Sequence, residues 1–430
     1  MSDISTPTRL EQHTWNLETW LKYLESIHPS NIELGLDRVS QVFKNLNLSF
    51  SDKTVITVAG TNGKGTTCAF IEQALLSKKH SVAVFSSPHL IDYRERVRIQ
   101  NKMLPEASHC LSFMQVEIAR KDIALTYFEF GTLAALYLMS QSDADYILLE
   151  VGLGGRLDAV NIIDPDLAVI TSIGLDHQDW LGETREEIAI EKAGIFRYNI
   201  DVVIGEPEPP KTLLDEVKRF QVKAYWQSID FEYFVDNKGF HWEDNVKQHQ
   251  GISKPMIPAQ NVSTGLKALA LLGQTFNDEQ LSKIILKTKV MGRKHIIQSA
   301  PTVLLDVAHN PQATALLAKE IEELGTGYNR VIAVIAMLAD KDIKASLRPM
   351  EDTVTSWYCA DLNVPRGASA NVIASHLTSN KKVVNFDSVI EAYKSALDYA
   401  QQEDLVVVFG SFFTVAEILN LKGLSLIEEA

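Results

Sequence analysis

Cysteine is scarce: Cys68, Cys110 and Cys359 are the only three in 430 residues, far apart and with no C-x-x-C pair. Neither a disulfide framework nor a zinc cluster is indicated. Long apolar runs are missing too, so no stretch is built to span a bilayer, and the opening Met1-Ser2-Asp3-Ile4-Ser5-Thr6-Pro7-Thr8 lacks a signal-peptide core. Positive charge is in short supply. Lys and Arg number 41 against 55 Asp and Glu, for a formal net charge of −14. That balance argues against a general binder of nucleic acid or of anionic membranes. Any anionic substrate must then be held by local cations and metal, and the expected location is the cytoplasm. No internal repeat or low-complexity stretch stands out.

What is present is a globular composition, 46% hydrophobic and 22% charged, in a chain long enough for two domains. Residues 54–67 organise it. The β-branched run Thr54-Val55-Ile56-Thr57-Val58-Ala59 leads into Gly60-Thr61-Asn62-Gly63-Lys64-Gly65-Thr66-Thr67, and Cys68 to Leu76 follow at helical spacing. Strand, glycine-rich loop and helix is the context of a phosphate-binding loop. The helix adds its positive dipole end, Lys64 reaches outer phosphates, and Thr66 or Thr67 stands near magnesium. Two departures from G-x-x-x-x-G-K-[ST] are visible: Val58 replaces the first glycine, and Gly65 stands where Ser or Thr is expected.

Taken in order, residues 14–27 predict an amphipathic helix broken at His28-Pro29, and a second helix runs to about residue 46, the pair forming a hairpin on the first sheet. The strand Ser81–Phe85 ends at Ser86-Ser87-Pro88-His89. Arg94, Arg96 and Arg98, at period 2, would share one strand face, either solvated or facing an anion. Residues 127–140 read as a buried helix in which Glu129 is an unusual carboxylate. The strand Tyr146–Glu150 ends on a carboxylate and runs into Gly152-Leu153-Gly154-Gly155-Arg156-Leu157-Asp158-Ala159. The strand Leu167–Thr171 leads to Asp176-His177. Lys64, Ser87, Glu150 and His177 thus each follow a separate apolar strand, and parallel strands gather such tips at one edge of a sheet. Ser87 and Glu150 offer oxygen ligands suited to magnesium.

Further on, 183–195 predict a helix with a charged face, 226–250 a small β-hairpin subdomain, and Asn261 the cap of an Ala/Leu-rich helix. Texture changes at Met291-Gly292-Arg293-Lys294-His295. The expected domains are therefore 1–291, a 292–300 linker, and 301–430. The last is a second, smaller α/β sheet with strands 302–307, 331–337, 356–359, 383–386 and 405–409. Its strand tips carry Asp306-Val307-Ala308-His309-Asn310-Pro311 and Gly410-Ser411-Phe412-Phe413.

These motifs together resemble the Mur ligase superfamily of ATP-dependent amide-forming enzymes, and within it the folate branch. Gly65, the Ser86–His89 and Leu153–Ala159 segments, Glu191-Lys192-Ala193-Gly194-Ile195 and Tyr127-Phe128-Glu129-Phe130 carry the resemblance, which covers nearly the whole chain. Phe413 departs from the His or Tyr expected there. The resemblance implies an α/β fold: an N-terminal P-loop ATPase domain with a mostly parallel sheet and a small β subdomain, then a Rossmann-like C-terminal domain. It implies that a substrate carboxylate attacks the γ-phosphate of ATP and that L-glutamate captures the acyl phosphate, releasing ADP and phosphate. The carboxylate would belong to dihydropteroate or a reduced folate, and the enzyme would be a monomer. Gly60, Thr61, Asn62, Gly63, Lys64, Gly65, Thr66, Asn261, Arg293 and Asp306 would hold ATP. Ser87, Glu150 and His177 would hold two Mg2+ ions. Lys192 would be carbamylated, and His309 and Ser411 would lie near glutamate, with Lys64, Lys192, Asp306 and His309 the catalytic set. The pterin end would lie among Asn31, Ile32, Glu33, Leu34, Thr126, Tyr127, Phe128, Glu129, Arg156, Leu157, Asp158 and Ala159. A monofunctional polyglutamate-extending synthase, another Mur-type ligase, a small-molecule kinase or a nucleotide-regulated scaffold are the alternatives left open.

Overall fold

The computed structural model describes residues 14–28, 32–324, 327–378, 381–424 and 428–429; Pro29 of the expected helix break and Asn31 of the expected substrate site lie outside them. Apolar runs without alternation form strands buried on both faces, as a parallel sheet requires. Along β1 (Thr54–Ala59), Val55 and Ala59 join one core and Ile56 and Val58 the other. Beside it stand β2 (Val82–Phe85), the antiparallel pair β3 (Val97–Ile99) and β4 (Lys102–Met103), then β5 (Tyr146–Glu150), β6 (Leu167–Ile170), β7 (Asp201–Ile204) and β8 (Lys223–Trp226). The order is β4-β3-β2-β5-β1-β6-β7-β8, with β2 through β8 parallel apart from β3 and β4.

The N-terminal helices Leu17–Ser26 and Asp37–Leu46 form as expected but pack chiefly on the helices Glu106–Arg120 and Tyr127–Ser140, not on the sheet. Trp20, Phe113 and Phe130 fill that separate core. The expected hairpin is a three-stranded sheet, β9 (Phe231–Asp236), β10 (Gly239–Asp244) and β11 (Gln248–Ile252), whose Phe231, Phe240 and Trp242 are packing residues. Trp226 belongs to β8 instead.

The second sheet contains β12 (His295–Ser299), β13 (Thr302–Leu305), β14 (Val331–Ile335), β15 (Ser356–Ala360), β16 (Lys382–Phe386) and β17 (Leu405–Phe409), in the order β12-β13-β17-β14-β15-β16. All but β12 run parallel. The stretch 292–300, read as a linker, carries β12 and pairs antiparallel with β13, so it is the edge of this sheet and not a free connector. A short β18 (Glu428–Glu429) returns to pair with β4.

The three arginines do not share a strand face. Asp92 and Glu95 form a capping box that winds Tyr93–Arg96 into a 3-10 turn, and local capping overrides the period-2 pattern. Arg94 pairs with Asp92 at 2.7 Å, and only Arg98 lies on β3, where it meets the buried Glu72 at 3.0 Å. Arg98→Gln leaves that carboxylate buried without its cation. We expect a loss of about 3–5 kcal/mol in urea unfolding; an unchanged midpoint would contradict it.

Candidate active site

Gly63 caps the helix Lys64–Ser77, which makes Lys64 its first residue. The glycines are required from below. A Cβ on Gly60 would lie 1.9 Å from Thr171 Oγ1, and one on Gly63 would lie 2.5 Å from Asn261 Oδ1, with both residues at positive φ. Asn261 is not the expected cap, since Pro258 holds that position. It is buried beneath the loop and its Nδ2 donates to Thr66 Oγ1 at 2.7 Å, while Thr66 Oγ1 donates to the Gly63 carbonyl at 3.0 Å. Both residues therefore shape the loop's underside and do not line the cavity above it.

Strands β2, β5, β1 and β6 are parallel neighbours, so the tips bearing Ser87, Glu150, Lys64 and His177 stand side by side. All four line one cavity of about 620 Å³ that also receives residues of the second sheet. The Lys64 ammonium donates to the carbonyls of Gly60 at 3.0 Å and Thr61 at 3.4 Å. Burial lowers its pKa, partly offset by Glu150 and Asp176. Burial raises the Glu150 carboxyl against the pull of Lys64, and Glu150 accepts only the Ser87 N–H, at 3.3 Å, among the described residues. Among the described residues no three His, Cys, Asp or Glu side chains are grouped to hold a metal. A buried carboxylate with free lone pairs beside a serine and a phosphate-binding loop fits a hard ion that draws its remaining ligands from phosphate and water.

His177 adopts a left-handed backbone, φ 52°, at the start of the short helix Gln178–Leu181. Burial, chiefly, brings its pKa down to about 4, so the ring is neutral and able to ligate. Next to it, Asp176 joins the two sheets. Its carboxylate meets Lys341 Nζ at 2.6 Å, Asn310 Nδ2 at 3.0 Å and His309 Nε2 at 3.5 Å. Burial works against ionisation there, yet His309 and Lys341 hold the carboxyl well below the usual range. Asn62 of the phosphate loop extends the seam through Asn310 and Gln312.

On the second sheet, Arg293, His309 and Ser411 line the cavity. Asp306 does not. Its two oxygens accept the backbone N–H groups of Lys294 and Ala308 at 2.9 and 2.8 Å, and burial raises its pKa. The Ser411 oxygen caps the helix Phe412–Lys422 through the Thr414 N–H at 3.0 Å. Lys192, on the helix Arg185–Ala193, is 3% exposed and faces the cavity. Its ammonium has no hydrogen-bond or ion-pair partner among the described residues. Burial and then Lys64 depress its pKa to about 7.

At the far end, Ile32, Glu33, Leu34, Tyr127, Phe128 and Leu157 line the cavity together with Thr126, Glu129, Asp158 and Ala159. Glu129 is not unpaired. It closes a capping box with Thr126 and meets Arg38 at 2.9 Å, and Thr126-x-x-Glu129 was readable as that motif. Asp158 accepts the Leu153 and Val160 N–H groups, and burial raises its pKa to about 6. Arg156 is a correction: it is exposed, pairs with Glu191 at 2.6 Å and does not line the cavity. Sequence reasoning passed over Lys341, although Leu338-Ala339-Asp340-Lys341 follows an apolar strand like the other tips.

A phosphate-binding loop at the tips of one parallel sheet, closed by a second α/β sheet across a shared cavity, defines a ligase of the Mur type. Family models agree: the Mur ligase middle domain matches residues 58–277, and the Mur ligase glutamate ligase domain matches 292–412. The dihydrofolate synthase/folylpolyglutamate synthase of Escherichia coli K12 is 44% identical over 96% of this chain and 97% of its own. The structure of E. coli FolC in complex with DHPP and ADP superposes with a TM-score of 0.92 at 44% identity, covering 97% of this chain and 99% of that one. The bifunctional enzyme of Yersinia pestis complexed with AMPPNP and Mn ion gives 0.91 at 44% identity, covering 98% and 100%. The chain belongs to the dihydrofolate synthase/folylpolyglutamate synthase family.

Proposed function

We propose that this chain is an ATP-dependent ligase that joins L-glutamate to dihydropteroate and adds further glutamates to reduced folates. The observation that carries the reading is the shared cavity, where the phosphate-binding loop, the Ser87–Glu150 pair and the aromatic Tyr127–Phe128 end open onto residues of the second sheet. The family membership and the relatives seen with ADP, AMPPNP, DHPP and manganese support it. ATP is the phosphoryl donor and a divalent ion neutralises phosphate charge when bound, held by Ser87 and Glu150 with His177 for a second ion. Lys64 and Arg293 stabilise charge on the transferring phosphoryl group, as positioning and electrostatics supply most of the catalysis in such transfers. The pteroyl carboxylate attacks the γ-phosphate, ADP leaves, and the glutamate amine displaces phosphate from the acyl phosphate.

In this reading Asn261 supports the loop around ATP and Asp306 takes the nucleoside. His309 and Ser411 face glutamate, and residues 32–34, 126–129 and 157–159 receive the pterin. Residues 1–291 carry the ATP and pterin side and 301–430 the glutamate side. We place the enzyme in the cytoplasm as a monomer; among the described residues no helix is long and apolar enough to cross a membrane. Lys192, buried and with a pKa near 7, is chemically prepared to form a carbamate with CO2.

The test is ADP release with MgATP and L-glutamate, in the presence of 7,8-dihydropteroate, tetrahydrofolate or no pterin. Release with both, dependent on glutamate, supports the bifunctional reading. Release with tetrahydrofolate alone reduces it to chain extension, and release with neither overturns the folate assignment.

A further inference from the structure

Arg96 belongs to none of the groups described above. It is 8% exposed, yet it lines the cavity. It is centred 5.5 Å from the rings of both Tyr93 and Tyr127. Its Nε donates to His89 Nδ1 at 2.9 Å, so that ring nitrogen is the acceptor. Among the described residues that is the guanidinium's only hydrogen bond, and no carboxylate pairs with it. The acid whose charge bears on the neighbouring Tyr127 is Glu25, which is exposed and forms no ion pair among the described residues. Arg94 and Arg98, in the same segment, both have acid partners.

A buried guanidinium set against two aromatic rings in a residue that lines the cavity, its terminal nitrogens unpaired among the described residues, is an anion receptor waiting for its charge. Its place says which anion. The Arg96 carbonyl accepts the Ser86 N–H at 2.9 Å, which fixes the residue beside the Ser87 tip. The Tyr127 it stacks on opens the helix whose cap and first turn line the pterin end. An anion bound there lies between the metal side and the pterin side. The phosphates have Lys64, the loop and Arg293, and glutamate enters from the second sheet. The remaining negative group is the carboxylate of the pteroyl substrate, which must lie between those two ends for phosphorylation.

The geometry points to Arg96 as the residue that binds and orients the acceptor carboxylate of the pteroyl substrate, either the aryl carboxylate of dihydropteroate or the glutamyl-tail carboxylate of a folate that is to be phosphorylated. The inference rests on the proposed ligase function and adds a specificity contact to it. The guanidinium recognises the carboxylate by parallel N–H donors, while the two tyrosines fix its plane.

The test is binding by isothermal titration in the presence of MgADP. Wild type, Arg96→Gln and Arg96→Lys are each titrated with dihydropteroate, tetrahydrofolate and a dihydropteroate analogue lacking the carboxyl group. Arg96→Gln is expected to weaken the carboxylate ligand at least tenfold, the scale of a lost charge-assisted hydrogen bond. It should leave the decarboxylated analogue and MgADP within about twofold, and Arg96→Lys should recover part of the loss. Loss with dihydropteroate alone assigns the aryl carboxylate, and loss with tetrahydrofolate alone assigns the glutamyl one. Equal weakening of the decarboxylated analogue, or no weakening of either acid, overturns the inference. Failure of the wild type to bind either pterin would instead strike the ligase reading itself.

Discussion

Lys64→Ala is expected to lower glutamate-dependent ADP release by about 10³-fold or more, with stability kept within about 1 kcal/mol of the wild type. Two facts predict this separation of activity from stability. Among the described residues the Lys64 ammonium is bonded only to the carbonyls of its own loop, Gly60 and Thr61, so its removal unties no other described element. Its pKa is lowered chiefly by burial, which means the folded chain already holds this cation at a cost. The lost loop hydrogen bonds and the relieved desolvation then nearly cancel. The catalytic loss has nothing to offset it, because the cation we propose to neutralise the outer phosphates during transfer is gone. Steady-state ADP release paired with urea unfolding checks both halves. Retained turnover would remove Lys64 from the phosphoryl step, and a collapsed unfolding midpoint would make the lysine a structural residue.

How far the residues alone announced this site can be read from single positions. Strand tips were legible because the strands are buried on both faces and read as unbroken apolar runs; Lys64, Ser87, Glu150 and His177 were gathered by topology alone. The two-sheet architecture was legible for the same reason. Less legible were residues whose roles depend on side-chain direction. Arg156 sits in a glycine-rich ligand-side motif but turns out to Glu191, a partner 35 positions away. Asn261 reads in the sequence as a helix cap, yet Pro258 takes that position and Asn261, packed against Gly63, sends its amide to Thr66. The Arg94, Arg96 and Arg98 pattern failed because a capping box, itself visible as Asp92-x-x-Glu95, outweighed alternation. The edge strand His295–Ser299 escaped because its half-exposed residues lack a continuous apolar run. Lys341 follows an apolar strand as the other tips do, but its partner Asp176 lies across the seam between the sheets, a pairing that no single segment encodes.

Lys192→Met is the second large effect expected, a fall in ligase turnover of roughly 10²-fold or more, and its origin can be separated from simple loss of a cation. An amine whose folded pKa is about 7 is protonated below that pH and neutral above it. Carbamate formation joins the neutral amine nitrogen to CO2 and releases a proton, so the modified fraction should rise as pH climbs through 7 and with bicarbonate. The product is an anion, which relieves the repulsion between Lys192 and Lys64 that helps depress the amine. The same pKa has a stability consequence of fixed sign. Between about 7 and the ordinary lysine range the unfolded chain binds more protons than the folded one, so Lys192 favours folding more as pH rises through that window. Below 7 its burial as a cation costs the full penalty, and Lys192→Met should therefore raise the unfolding midpoint at pH 6. Native peptide mass across pH 6 to 8, with and without bicarbonate, reads the modification directly. An unmodified lysine at pH 8 in bicarbonate, together with full activity, would remove the carbamate from the mechanism and leave Lys192 as a buried amine near Lys64.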